Sequence, residues 1–368
     1  MGKSAAKRPK SDNVLFPDMT PKPSGHAHRY AKNVLFRGDC LSILDKIEPE
    51  SIDFIYIDPP FFSNRFYELI WEDEGERFAF EDRWRGGIEH YTDWLMERIT
   101  RLFDVLKPTG SFIVHLDWHA VHYVKVKMDK LPVGTFRDQI IWHYTNKLGT
   151  GGNVLDRQHD TLLWYTKAAG NEYGFNPLYE PVKLAKPQPV TQKVGGKRIW
   201  LRDDAGRRLY KQSEKKRIGD VWDIPIINPM SNERLGYPTQ KPLVLLDRAL
   251  RTFTNPGDSV LDAFCGCGTT LLAAHHLGRR WVGIDISQTA IAIVQNRLAP
   301  VAGTVEVYGL ARNLADLEAM SWQEFQVWAV SSLFGRHSPK KIADMGIDGF
   351  SFLQNDPIQV KQTFVDAG

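Results

Sequence analysis

Residues 58–61 read Asp58-Pro59-Pro60-Phe61 and close a short apolar, β-rich run, Asp53 to Ile57. Such a run has the composition of a buried parallel strand, and proline cannot continue a central strand. The carboxylate of Asp58 is thus expected at the carboxyl end of a strand, held by two rigid residues and backed by the aromatic Phe61 and Phe62. Open α/β sheets bind their ligands at that end. The stretch reads as a site; the plainer alternative is that Asp58 caps the next turn and Phe61 belongs to the core.

A second constellation lies at Ser259–Thr270, SVLDAFCGCGTT. A strand runs into Gly266-Cys267-Gly268, and a helix opens at Thr269 or Thr270, either of which could cap it. Glycines there let the backbone turn tightly and approach a ligand. A further strand ends at Asp285 in WVGIDIS, about 20 positions on, where an acid suits a ribose diol. The third glycine of the dinucleotide fingerprint is missing, because Thr269-Thr270-Leu271 follows. That points away from a pyrophosphate-bearing cofactor and toward a nucleoside cofactor without phosphates, of which S-adenosylmethionine is the common one. His115, Asp117, Trp118 and His119, in VHLDWH, end the strand beside the first site; their types allow metal ligation as well as supporting and groove-lining roles.

The elements that must position these residues alternate. Strand-like runs at 52–57, 110–116, 138–144 and 161–166 are separated at first by helical stretches. In 91–106, Trp94, Leu95, Ile99, Leu102, Phe103 and Leu106 recur at helical spacing. Alternation of this kind predicts a parallel sheet. Regular signal weakens over 146–235 and returns as helix 242–253, strand 259–264, helix 269–277, strand 280–286 and helix 288–298, with a strand added at 305–308. The weak region carries Lys193, Lys197, Arg198, Arg202, Arg207, Arg208, Lys211, Lys215, Lys216 and Arg217, interleaved with Trp200 and Tyr210. Cations beside aromatics suit a phosphate backbone with bases in reach; a solvated charged loop is the other reading.

Bulk composition is that of a soluble protein: 368 residues, 42% hydrophobic, 25% charged and a net charge of +3. No apolar run has the length of a membrane span, and the polar, basic start MGKSAAKRPKSDN has no apolar signal core. Cys40, Cys265 and Cys267 cannot build a disulfide framework or complete a zinc site. Metal: none is expected, and the location is expected to be cytoplasmic.

Four motifs stand in a fixed order: Asp58-Pro59-Pro60-Phe61, the basic segment, Tyr237-Pro238-Thr239-Gln240-Lys241-Pro242, and Phe264-Cys265-Gly266-Cys267-Gly268-Thr269. In that order the chain, over roughly 30–310, resembles the β class of amino-DNA methyltransferases. The resemblance implies a doubly wound, mostly parallel α/β sheet of the S-adenosylmethionine-dependent type, circularly permuted, with an inserted target-recognition region. After a basic segment 1–28 that its Lys-, Pro- and Ser-rich composition marks as disordered, the chain divides into a catalytic half 29–145, a recognition region 146–235, a cofactor-binding half 236–310 and a tail 320–368. It implies methyl transfer from S-adenosylmethionine to the N6 amine of an adenine flipped out of double-stranded DNA. N4-cytosine methylation, or the methylase part of a bifunctional or split restriction enzyme, are the alternatives.

The same resemblance implies residue roles. Asp58, Pro59, Pro60 and Phe61 are catalytic: the Asp58 carboxylate and Pro59 carbonyl accept from the amine, and Phe61 stacks on the base. Asp39, Thr239, Gln240, Lys241, Asp262, Phe264, Gly266, Gly268, Thr269 and Asp285 hold the cofactor, with Lys241, Thr239 and Gln240 at its methionine end. Lys197, Arg198, Arg202, Arg207, Arg208, Lys215 and Lys216 contact DNA. A restriction endonuclease partner and a homodimer accompany such enzymes. In the tail, Asp348, Gln359 and Lys361, with Glu324 on a preceding helix, resemble the opening half of a restriction-endonuclease-like nuclease. Two strands cannot bury such a core, so a docking tail without catalysis is the favoured reading there.

Overall fold

The computed structural model describes residues 33–62, 87–147, 155–181, 187–211, 214–237 and 239–309, with isolated residues 149, 153 and 325 and the tail pieces 335–337, 349–351 and 357–358. Residues 1–28, Pro238 and the tail residues Glu324, Asp348, Gln359 and Lys361 fall outside the described residues. The three tail pieces pair antiparallel with one another.

The element order is β1 (Val34–Arg37), α1 (Cys40–Leu44), β2 (Ile52–Ile57), α2 (Gly87–Val105), β3 (Leu106–Leu116), α3 (Val121–Met128), β4 (Thr135–His143) and β5 (His159–Thr166). Six short strands follow: β6 (Tyr179–Pro181), β7 (Gln188–Pro189), β8 (Thr191–Val194), β9 (Lys197–Trp200), β10 (Tyr210–Lys211) and β11 (Lys215–Arg217). Then come β12 (Val221–Asp223), α4 (Leu243–Phe253), β13 (Ser259–Asp262), α5 (Thr269–His276), β14 (Arg280–Asp285), α6 (Gln288–Ala302) and β15 (Glu306–Tyr308).

Among the described residues, nine strands form one sheet in the order β12-β4-β5-β3-β2-β13-β14-β1-β15. Side chains alternate between its faces along β2: Ile55 and Ile57 join α1, α2 and α3 in one core layer, whereas Phe54 and Tyr56 join α4, α5 and α6 in the other. The period-2 geometry of a strand buried on both faces imposes this. In α2, Tyr91, Leu95, Ile99, Leu102 and Phe103 make the buried stripe. At the amino end of β2, Asp53 accepts from Lys107 (2.6 Å) and from the Ser259 N–H (2.9 Å), tying β2 to β3 and β13.

The sheet is mixed rather than wholly parallel. β5 runs antiparallel to both β3 and β4, because the chain returns from β4 without a crossover helix. β5 and β12 both lie in this sheet, so the 146–235 stretch is not one continuous insertion. Outside this sheet, among the described residues, stand three small antiparallel pairs, β6 with β11, β7 with β10 and β8 with β9.

Connectivity fixes where a ligand fits. From β2 the chain crosses through α2 to β3, away from β13; from β13 it crosses through α5 to β14, away from β2. The chain therefore leaves the carboxyl ends of these two neighbouring strands in opposite directions, which is the switch point of a doubly wound sheet. Among the described residues no helix is long and apolar enough to cross a membrane.

Candidate active site at the carboxyl edge of the sheet

Asp58 follows directly on β2 and faces the crevice with its side chain 14% exposed. Its Oδ2 accepts from the ammonium of Lys241, and its Oδ1, buried, has no hydrogen-bond partner among the described residues. Lys241 lies just before α4, which runs back from the carboxyl edge into β13; that is why a residue 183 positions away reaches Asp58. Its ammonium also donates to the Thr239 carbonyl (3.3 Å) and stands 5.0 Å from the centroid of the Phe61 ring.

A buried polar chain supports this corner. The Tyr56 hydroxyl and His115 Nδ1 are 2.6 Å apart, and His115 Nε2 is 3.2 Å from Asp160 Oδ2. The His115 ring packs against Phe61 (5.7 Å) and Trp142 (5.5 Å). Burial pushes Tyr56 well above its ordinary range, and the charge of Asp58 adds to this, so Tyr56 stays a donor. Burial also works against ionisation of Asp160, but bonds from His115 and Tyr144 and the charge of Lys241 outweigh it and hold the carboxyl below its ordinary range. Nearer the rim, Asp117 bonds His119 (2.5 Å), Trp118 stacks on His119 (3.9 Å) and Arg157 lies 4.4 Å from the Trp118 ring. Burial raises Asp117. Among the described residues no cluster of His, Cys, Asp and Glu could hold a metal ion.

The glycine loop joins β13 to α5 on the other wall. Gly266 and Gly268 both take positive φ, 48° and 75°, and Gly268 itself is the cap of α5. Thr269 and Thr270, read as caps, instead lie buried inside the helix. A Cβ on Gly268 would meet Val294 at 2.8 Å, so this glycine serves the packing of the loop on α6. A Cβ on Gly266 would meet the Tyr237 ring at 3.1 Å. Arg297 clamps the loop from α6 through the Cys267 carbonyl (3.1 Å) and the Thr269 hydroxyl (2.9 Å).

Asp285 closes β14 and accepts from the backbone N–H of Gly266 (2.8 Å) and of Ser287 (2.9 Å). Burial pushes its carboxyl up to about 6, against the pull of those backbone bonds. Asp262, ending β13, is raised to about 7 by burial despite bonds from Thr270 and the Phe264 N–H.

Not every residue expected around the cofactor faces it freely. Asp39 caps α1 through Leu41 (2.9 Å) and pairs with Arg98 (2.6 Å), whose guanidinium lies 4.1 Å from the Trp94 ring; Trp94 packs on Phe264 at 5.9 Å. Gln240 braces its own loop, accepting from Leu235 (2.8 Å) and donating to the Glu233 carbonyl (2.7 Å). Glu233 in turn accepts from Leu243 at the start of α4 (2.6 Å). Asp160 and Arg297 stand in no motif of the sequence. A polar residue at the mouth of the strand-like run 161–166 was the available signal for Asp160.

The Lys and Arg residues named in the basic segment are all exposed. Lys197 and Arg198 lie on the β8–β9 hairpin, and Lys215 and Lys216 on β11, which pairs with β6. Arg202 and Arg208 face each other across an isolated bridge. Arg208 lies 4.5 Å from the Trp200 ring, Arg207 pairs with Asp203 (3.0 Å) and Lys216 with Glu180 (2.8 Å).

The family model for N6/N4 DNA methylases matches residues 52–296. A DNA adenine methyltransferase of Escherichia coli (strain K12), YhdJ, is 30% identical over 268 residues, 73% of this chain and 83% of its own. The type II methyltransferase M.HinfI of Haemophilus influenzae is 29% identical over 273 residues, 73% of this chain and 69% of its own. Among solved structures, the cytosine-N4-specific PvuII DNA methyltransferase matches 82% of this chain and 95% of its own at 19% identity, with a TM-score of 0.49. The match to the family model spans the strand that ends at Asp58, the glycine loop and Asp285 alike, and the chain belongs to the N6/N4 DNA methylase family.

Proposed function

We propose that this DNA methyltransferase is a site-specific adenine enzyme, which methylates the N6 amine of an adenine turned out of double-stranded DNA with S-adenosylmethionine as donor. One observation carries the reading. Asp262 of β13 lies in register with Tyr56 of β2, so Asp58 and the glycine loop leave adjacent strands, about 5 Å apart, at one edge.

The residues present fit that cofactor. Asp285 still has lone pairs for a ribose diol after its two backbone bonds, and the turn at Gly266 and Gly268 brings backbone close to the crevice. Asp262, Phe264, Thr239 and Thr269 complete the wall; Asp39, Gln240 and Lys241 act on it through the partners described above. Bound there, S-adenosylmethionine supplies an electrophilic methyl group.

The chain's own work is on the base. The exocyclic amine of adenine is a poor nucleophile because its lone pair is delocalised into the ring. Acceptors at its two hydrogens, the Asp58 carboxylate and the Pro59 carbonyl, favour a tetrahedral nitrogen with a localised lone pair. Pro59 and Pro60 fix the direction of that carbonyl. Phe61 offers a face on which a flipped base stacks. Positioning supplies most of the acceleration.

Asp as the first residue of the motif, together with the adenine-specific relative of Escherichia coli, supports adenine over cytosine. The order of motifs supports the permuted β class. The hairpins over 187–217 contact DNA through Lys197, Arg198, Arg202, Arg207, Arg208, Lys215 and Lys216, within a recognition region that separates the catalytic and cofactor-binding halves. A type II relative supports a place beside a restriction endonuclease. Incubating the chain with DNA and methyl-labelled S-adenosylmethionine tests the core of this reading: label should enter the DNA, and DNA that stays unlabelled would overturn it.

A further inference from the structure

Lys241 stands on the catalytic side of the crevice rather than only along the cofactor wall. We propose that Lys241 is a positioning residue for methyl transfer: it grips one oxygen of the Asp58 carboxylate and leaves the other as the acceptor for the target amine. This rests on the methyltransferase reading above.

The two oxygens of Asp58 live differently. Oδ2 takes the Lys241 ammonium, whereas Oδ1 is buried and without a hydrogen bond among the described residues. The nearest nitrogen of His115 is 3.9 Å from Oδ1 and is engaged with Tyr56 at 2.6 Å instead. A buried carboxylate oxygen without a donor is costly, and a substrate N–H is what it lacks. Phe61, on which that substrate would lie, follows in the same turn of chain after the two prolines.

Lys241 is suited to hold rather than to bind. Pro242 and the start of α4 follow immediately, and Glu233 caps that helix, so the stem has a fixed origin. Its ammonium is shared with the Thr239 carbonyl (3.3 Å). The titratable groups near Asp58 are Tyr56 of β2, His115 of β3, Tyr144 just after β4, Asp262 of β13 and Lys241 itself, with Asp160 of β5 reached through His115 and Tyr144. Three carboxylates thus share this edge, and the Lys241 ammonium is the cation bonded to Asp58. A point-like ammonium with several donors can hold a single oxygen, where a guanidinium fork would cover both.

The test compares K241A, and K241M as a second variant that keeps the apolar stem, with the wild-type chain. Cofactor affinity is read by calorimetry, and single-turnover methyl transfer is measured at saturating cofactor and DNA. Transfer should fall on the order of 100-fold in both variants, with cofactor affinity changed by no more than a few-fold. Added ethylammonium should restore transfer to K241A, whereas tetramethylammonium, equally charged but without an N–H donor, should not. Loss of cofactor affinity as large as the loss of rate would overturn the proposal, as would wild-type transfer in both variants or equal rescue by the two cations. A wild-type chain without any transfer would overturn the functional reading and this one with it; an active wild type beside an equally active K241A overturns this one alone.

Discussion

The crevice between β2 and β13 and the hairpins of 187–217 both carry charged and aromatic residues, and they use them in opposite ways. In the crevice each charge has an assigned partner and little water: Asp58 is 14% exposed and Lys241 10%. On the hairpins Arg207 is 80% exposed, and its pairing with Asp203 is a surface contact. Buried charges act at short range on fixed atoms, whereas exposed ones act through a field that salt screens. The first region suits chemistry on one amine; the second suits a long, repetitive polyanion.

The sharpest way to break this comparison is Asp58→Ala. Transfer should fall about 1000-fold or more, while DNA and cofactor still bind. Transfer kept within a few-fold of wild type would remove Asp58 from the reaction. Next in size, Asp285→Ala and Gly268→Val should each weaken the cofactor on the order of 10–100-fold. The first removes an acceptor; the second forces a branched side chain to φ 75° against Val294. Calorimetry that finds unchanged affinity in both would move the cofactor elsewhere.

On the hairpins, reversing charge at Arg207, Arg208, Lys215 and Lys216 should weaken DNA binding and flatten its salt dependence, by about 0.9 in log–log slope for each phosphate no longer neutralised. Cofactor affinity should stay as it was. Unchanged DNA affinity and slope would make the segment a solvated loop.

The smallest effect concerns pH. Asp285 is held up to about 6 in the fold, above its ordinary value, so the folded state binds this proton more tightly than the unfolded chain does. Its contribution to stability therefore grows as pH falls through about 6 toward the ordinary carboxylate range, and is lost above it. Cofactor affinity runs the other way, because the ribose acceptor is the carboxylate. Through Asp285 it should fall by up to about tenfold per pH unit below about 6. Affinity that is flat down to pH 5 would separate Asp285 from the cofactor.

Much of this was legible in the sequence where the signal is local. The apolar run before Asp58, the glycines after Asp262 and the stripe Leu95, Ile99, Leu102 each declare an element within a few residues. What escaped depends on the fold. β5 reads like its parallel neighbours, and only its pairing makes it antiparallel. Gly268 reads as a glycine needed for the ligand, and its close packing on Val294 is not visible in the motif. Lys241 stands in a motif read for the cofactor, and its bond to Asp58, 183 residues upstream, is invisible there. Gln240 and Asp39 show the same limit: a polar residue in a motif is visible, but whether it faces a ligand or braces its own loop is not.

The most direct test of the central claim is to digest DNA that the chain has methylated and identify the modified nucleoside by mass and retention. The account predicts N6-methyldeoxyadenosine, lost in the Asp58→Ala variant. N4-methyldeoxycytidine as the product would contradict the adenine assignment, and unmodified nucleosides alone would contradict the site itself.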